Sequence, residues 1–176
     1  MNRFLNTLRA AAIALLAAFL LPAQSLTTRA PELPAGCEDL QVPEGHRVSF
    51  HAYAAGFQVY RWNSATNTWQ FLRPEALLFA DAGCHQPIGV HFFGPTWILG
   101  NSAVGGSFYA GRTVDPTAIP WLRLSAVEAS GAGPLASTTW IQRVNTVGGL
   151  APTHVGQPTE IVMVPYTAEY FFYRAL

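Results

Sequence analysis

The chain has 176 residues, half of them hydrophobic and 11% charged, with a formal net charge of zero at pH 7. Without Arg3 and Arg9, which lie in the leader described next, eight arginines face ten Asp and Glu, a faintly acidic balance that argues against a nucleic-acid partner. Lysine is absent, which excludes Schiff-base chemistry and a lysine-type phosphate cradle.

Residues 1–25 read as a secretory signal peptide. Arg3 and Arg9 precede an apolar run over 10–21, Pro22 follows it, and Ala23 and Ser25 are small enough for a signal peptidase. About a dozen apolar residues cannot cross the roughly 30 Å core of a bilayer, nothing after Leu21 lengthens the run, and no lipobox cysteine follows; a retained anchor is the weaker alternative. Cleavage after Ser25 would leave a secreted or periplasmic protein, free of the membrane, with about 150 residues for one domain.

Residues 26–45 carry three prolines and little apolar periodicity and are expected to form an extended amino-terminal arm. From residue 46 to 176 the pattern predicts a single β domain. Short apolar runs recur between Gly, Asn, Asp and Pro breakers, and no window keeps a 3.6-residue period long enough for a helix. Strands are predicted over 46–54, 57–62, 68–73, 76–80, 88–93, 96–99, 103–109, 121–130, 135–146 and 160–174. NSATN at 63–67, ADAG at 80–83 and LGNS at 99–102 read as hairpin turns joining antiparallel neighbours. Pro165 interrupts the last run and should sit at an edge or a bulge. Such an all-β pattern suits an antiparallel β-barrel or a two-sheet β-sandwich, preceded by the helix of the signal peptide.

Cys37 and Cys84 are the only cysteines, and in an oxidising compartment such a pair is usually joined, so a disulfide tying the arm to the body is expected. The alternative is two separate thiols. The adjacent pair Cys84-His85 is weak ground for a metal or a nucleophile.

The groups that could carry chemistry are few. His91 lies among aromatics in GVHFFGPTW and could serve as a general base or a metal ligand, although a strand histidine beside a Gly-Pro turn more often donates to a backbone carbonyl. IQRVNT at 141–146 puts Arg143 and Asn145 on one strand face and Gln142 on the other, within an otherwise apolar segment. Glu169 in YTAEYFF is the natural partner for Arg143, which would make the pair structural. The functional reading makes Gln142, Arg143, Asn145 and Glu169 the polar floor of a pocket walled by Trp97, Trp140, Tyr166 and Tyr170, suited to an anionic or sugar-like ligand. Among the tryptophans, Trp121 follows a proline and precedes alternating leucines, as a core residue does, whereas Trp97 beside the GPT turn is the one placed to meet a ligand.

The five histidines show no metal-binding spacing, so no metal site and no cofactor are expected. No serine sits in G-x-S-x-G, and neither Gly105-Gly106 nor Gly148-Gly149 leads into a helix.

FQVYRWN with W-x-F after it, GVHFFGPTW, IPWLRLSA, IQRVNTVGGLAP and VPYTAEYFFY, in that order, resemble the family of domain of unknown function 3455 over roughly residues 40–173. The resemblance implies a secreted protein of bacterial or fungal type with no agreed activity. Some fungal relatives carry the label malate dehydrogenase, but no G-x-G-x-x-G lies here between a strand and a helix, so the label is not supported. The family pattern often has a cysteine after the tyrosine of F-Q-V-Y and another shortly before the last strand. Here those places read Tyr60-Arg61-Trp62 and Val155-Gly156-Gln157, so a role tied to those cysteines does not transfer. Three readings follow: a non-catalytic exported module that binds a small molecule or cell-envelope component, an enzyme using His91, Arg143 or Glu169, or a structural surface protein.

Overall fold

The computed structural model describes residues 29–176; the signal peptide expected at 1–25, with its helix and its cleavage site, lies outside the described residues. After one 3-10 turn at Glu38–Leu40 come eight strands: β1 (His46–Asn63), β2 (Thr68–Phe79), β3 (Pro87–Phe92), β4 (Thr96–Leu99), β5 (Ser102–Arg112), β6 (Trp121–Gly131), β7 (Trp140–Gly148) and β8 (Ile161–Ala175). Each pairs antiparallel with the next, and β8 returns to β1, closing a barrel in sequence order. The all-β expectation holds, and of the two architectures it left open the protein adopts the barrel.

Ten expected strands become eight because two breaks are not breaks. Residues 46–54 and 57–62 fuse into the 18 residues of β1. Gly56, where the break was placed, is there for close approach: a Cβ on it would lie 2.2 Å from the Glu75 carbonyl oxygen on β2. Likewise 68–73 and 76–80 form the single β2, through Pro74. Proline is tolerated at that point because β3 pairs only with β2 from Ala76 to Phe79, so Pro74 faces no β3 partner. Pro165 is similar: β7 ends at Gly148 opposite Tyr166, so β8 is an open edge at Pro165 on that side.

Inside the barrel, small residues face large ones. Ala52 and Ala54 on β1 leave room for Trp97 of β4 and for Tyr170 and Phe172 of β8, all buried in one cluster with Leu78, Val104, Leu124 and Ile141. Gly106 belongs to the same fit, since a Cβ there would meet the Trp97 ring at 2.9 Å. Leu135 from the β6–β7 loop and Ile119 from the β5–β6 loop join this cluster and close the two ends.

A second core lies on the outside. The arm lays Cys37, Leu40 and Val42 against Val48, Trp121, Val144, Phe171 and Tyr173 of the outer wall. Gln142 Nε2 donates to the Leu40 carbonyl at 2.6 Å and Gln142 Oε1 accepts the Tyr173 hydroxyl. Arg123 donates to the Gln41 carbonyl while stacking over Tyr109 and Trp140, and Arg112 pairs with Asp39 at 2.9 Å.

The wall is not of even height. β3 and β4 have six and four residues, between the 12 of β2 and the 11 of β5. Above the β3–β4 turn, residues 68–75 of β2 and the part of β5 beyond Gly105 have no strand between them. That gap opens the side of the barrel.

Candidate functional site

The gap leads into a cavity of about 360 Å³. Its mouth is formed by residues 71–74 of β2 and 93–95 of the β3–β4 turn, and Phe71 and Phe93 stand there 52% and 65% exposed. Its walls are largely apolar, with Leu122 and Leu124 of β6 and the ring of Tyr170. The polar groups within it are Gln58, His91, Trp97 and Arg143. At the mouth Arg73 also faces the cavity, but its guanidinium is held by Glu75 at 2.6 Å.

These side chains converge by strand alternation. Gln58 lies two and four residues beyond Gly56 and Ala54 on the inner face of β1, and Arg143 follows Ile141 inward on β7. His91 of β3 is in register with Trp97 of β4, so the two rings stack with centroids 4.3 Å apart and planes 6° from parallel. Tyr170 meets both edge-on, at 5.1 and 5.3 Å.

His91 Nδ1 lies 3.0 Å from the Thr96 carbonyl oxygen. A carbonyl only accepts, so Nδ1 carries the proton and Nε2 is left with its lone pair. Burial pushes the imidazole down to about 3, with the Arg143 charge adding to the effect, so the ring is neutral at pH 7. Burial also raises the phenols of Tyr170 and of neighbouring Tyr166, whose hydroxyls lie 3.4 Å apart. Arg143 is thus surrounded by neutral groups. Its Nε and Nη2 donate to the Pro120 carbonyl at 3.1 and 2.8 Å, and it makes no ion pair among the described residues.

Two further donors lack partners. Trp97 Nε1 and Gln58 Nε2 are buried and unbonded in residues only 1% and 2% exposed, both lining the cavity. The Gln58 amide lies near the Tyr166 hydroxyl but closes no hydrogen bond with it. A buried donor left unmade costs about 1–3 kcal/mol.

Of the residues singled out from the sequence, His91, Trp97, Arg143 and Tyr170 come together here, with Tyr166 just behind. Gln142 does not: as the neighbour of Arg143 on a pleated strand it faces the opposite way, under the arm. Trp140 is on that outer side too, stacked edge-on with Tyr109 at 5.2 Å. Asn145 was expected on the face of Arg143, but β7 bulges between Val144 and Val147, with φ of 49° at Asn145, and this turns its side chain outward. There its amide donates to Glu169 Oε1 at 2.8 Å, while Glu169 Oε2 holds His51 Nε2 at 2.8 Å. The hydrogen bond from His51, then that from Asn145, lowers the Glu169 carboxyl below its ordinary range. The expected pairing of Arg143 with Glu169 is therefore not formed, because the two lie on opposite faces of the wall.

The expected disulfide between Cys37 and Cys84 is also not formed. Both are free thiols: Cys37 is buried under the arm, and Cys84 sits in the β2–β3 loop, where its own N–H bonds the Asp81 carbonyl. The sequence reading missed Gln58, the Pro120 carbonyl and the mouth residues 71–74. Only Gln58 had a signal, as the one polar residue in the inward series of β1.

A family model described as "Protein of unknown function (DUF3455)" matches residues 43–174, which spans nearly the whole barrel. No curated protein and no solved structure matches the chain.

Proposed function

The chain belongs to the family of the protein of unknown function DUF3455, and on that premise we propose that it is an exported, non-catalytic binding barrel. Its ligand is a small molecule, or a small group of a cell-envelope component, that enters through the gap above the β3–β4 turn. The observation that carries this reading is the convergence, on the wall of a single apolar cavity open to the outside, of one guanidinium without an ion pair and two residues whose buried N–H donors lack partners. Cores do not keep such groups unmatched without a use for them. The cavity falls at the small end of ordinary ligand sites. Export is supported by the leader at 1–25, and a secreted or periplasmic site of action follows from it.

An enzyme working through His91, Arg143 or Glu169 has less support. His91 touches no carboxylate and is a weak base, while the Glu169–His51 contact is on the outer wall with no nucleophile among its hydrogen-bond partners.

Native mass spectrometry on the protein purified from its own host tests the binding reading. The expected result is a retained small molecule in the wild type that Arg143→Met loses. A bare mass for the wild type, together with no change of tryptophan fluorescence across a panel of small organic acids, amides and alcohols, would leave a structural role as the better account.

A further inference from the structure

We propose, building on that binding reading, that the cavity is specific for a monocarboxylate with a flat or short apolar body. The argument starts from the guanidinium of Arg143. One of its edges, Nε with Nη2, is taken by the Pro120 carbonyl. Beyond that carbonyl the only group the guanidinium meets among the described residues is the neutral Tyr170 hydroxyl, so at least two of its five N–H donors remain to match the two oxygens of a carboxylate.

Charge counting favours one negative charge and no more. His91 is neutral, both tyrosines are neutral, and Arg73 is already matched by Glu75, so the cavity holds a single uncompensated positive charge. A dianion such as phosphate would bring a second charge with nothing to meet it. A neutral sugar would leave the guanidinium unpaired and would need more acceptors than the walls supply.

The remaining polar groups point the same way. Gln58 Nε2 and Trp97 Nε1 are donors, and a carboxylate oxygen accepts more than one hydrogen bond. Neither atom touches solvent in this state. The Gln58 amide turns about a broad terminal torsion, and that rotation carries its N–H₂ toward an oxygen seated on Arg143. The rest of the ligand then lies against Leu122, Leu124 and Tyr170, with Phe71 and Phe93 over it.

The test uses a neutral fluorescent probe, N-phenyl-1-naphthylamine, displaced by matched pairs: benzoate against benzamide, and hexanoate against hexanamide. The expected result is displacement by the acids at concentrations at least about 10-fold lower than by the amides. Arg143→Met should weaken the acids by about 10- to 100-fold while changing the amides little. Arg143→Lys, which keeps the charge without the fork, should fall between, and near-UV circular dichroism checks that each variant is folded. Equal displacement by acids and amides, or undiminished acid binding in both folded variants, would overturn the carboxylate while leaving a binding cavity. If the probe neither binds nor is displaced in the wild type, the binding reading fails with it.

Discussion

Gln142 and Arg143 are consecutive in β7, and the pleat sends them into two cores that treat polar groups differently. In the outer core both ends of the Gln142 amide are used, one on the arm and one on Tyr173, and the arm is fastened again by Arg123 and Arg112. Asp39 Oδ1 and Arg123 Nε are unbonded there, but each belongs to a group that another of its atoms already secures. In the inner core Arg143 spends two of its five N–H donors on one carbonyl, and Gln58 and Trp97 spend none of their N–H groups. Polar groups that are each secured by a partner hold a structure together. Polarity left open in an apolar space waits for something to arrive.

Perturbing each core separately sharpens that contrast. Leu40 is completely buried in the outer core, so Leu40→Ala should cost about 2–5 kcal/mol in denaturant unfolding while probe binding in the cavity stays as it was. A loss of binding of similar size would show that the two cores are not independent.

Acid reads the inner core. The unfolded chain protonates His91 near its ordinary 6.5, the folded one only at about 3, so between those values the unfolded state holds the extra proton. Stability therefore falls as pH drops below 6.5, by roughly 1.4 kcal/mol per unit. Glu169 on the outer wall acts later: its folded carboxyl is depressed below 4.5, so its contribution is complete above 4.5 and is lost as pH falls through the lowered value. Urea titrations at stepped pH should show both phases in the wild type, only the lower one in His91→Gln, and a diminished lower one in Glu169→Gln, where Glu38, Asp81 and Asp115 are still held below their ordinary range.

Gln142→Leu leaves the Leu40 carbonyl and the Tyr173 hydroxyl unmatched and should destabilise by about 1–3 kcal/mol. Gln58→Leu, a similar change in the inner core, should have the opposite sign. It removes an unmet buried amide and is expected to raise stability by about 0.5–1 kcal/mol while weakening acid binding several-fold. A destabilised Gln58→Leu would mean that the amide is matched after all. The smallest effect concerns the thiols: under native conditions maleimide should label Cys84 and leave buried Cys37 until the chain is unfolded, with no mass change on reduction.

The strands and hairpin turns were legible because alternation and the Asn- and Gly-bearing turns are local properties. The turns at 63–67 and 80–83 lie where the residues placed them. Gly56 and Pro74 misled because their roles are set by a partner strand: the approach of Glu75 in one case, the shortness of β3 in the other. Residues 135–139 were read as the start of a strand because Leu135 is apolar, yet it is a plug reaching in from a loop. Much of the cavity could be seen as aromatics beside a lone arginine. The bulge that turns Asn145 away, and the gap that gives the cavity its mouth, come from unequal strand lengths and register, which no local pattern encodes.

The closing seam of the barrel joins the first strand to the last, and the backbone N–H of Leu176 bonds the Gly45 carbonyl at 2.9 Å. At least 100 positions separate the paired residues, so this contact carries the largest loop-closure entropy in the molecule. No fragment that stops before β8 can shut the wall, and until that strand arrives the whole outer edge of β1 stays unpaired. The closed barrel is thus withheld until β8 has been made.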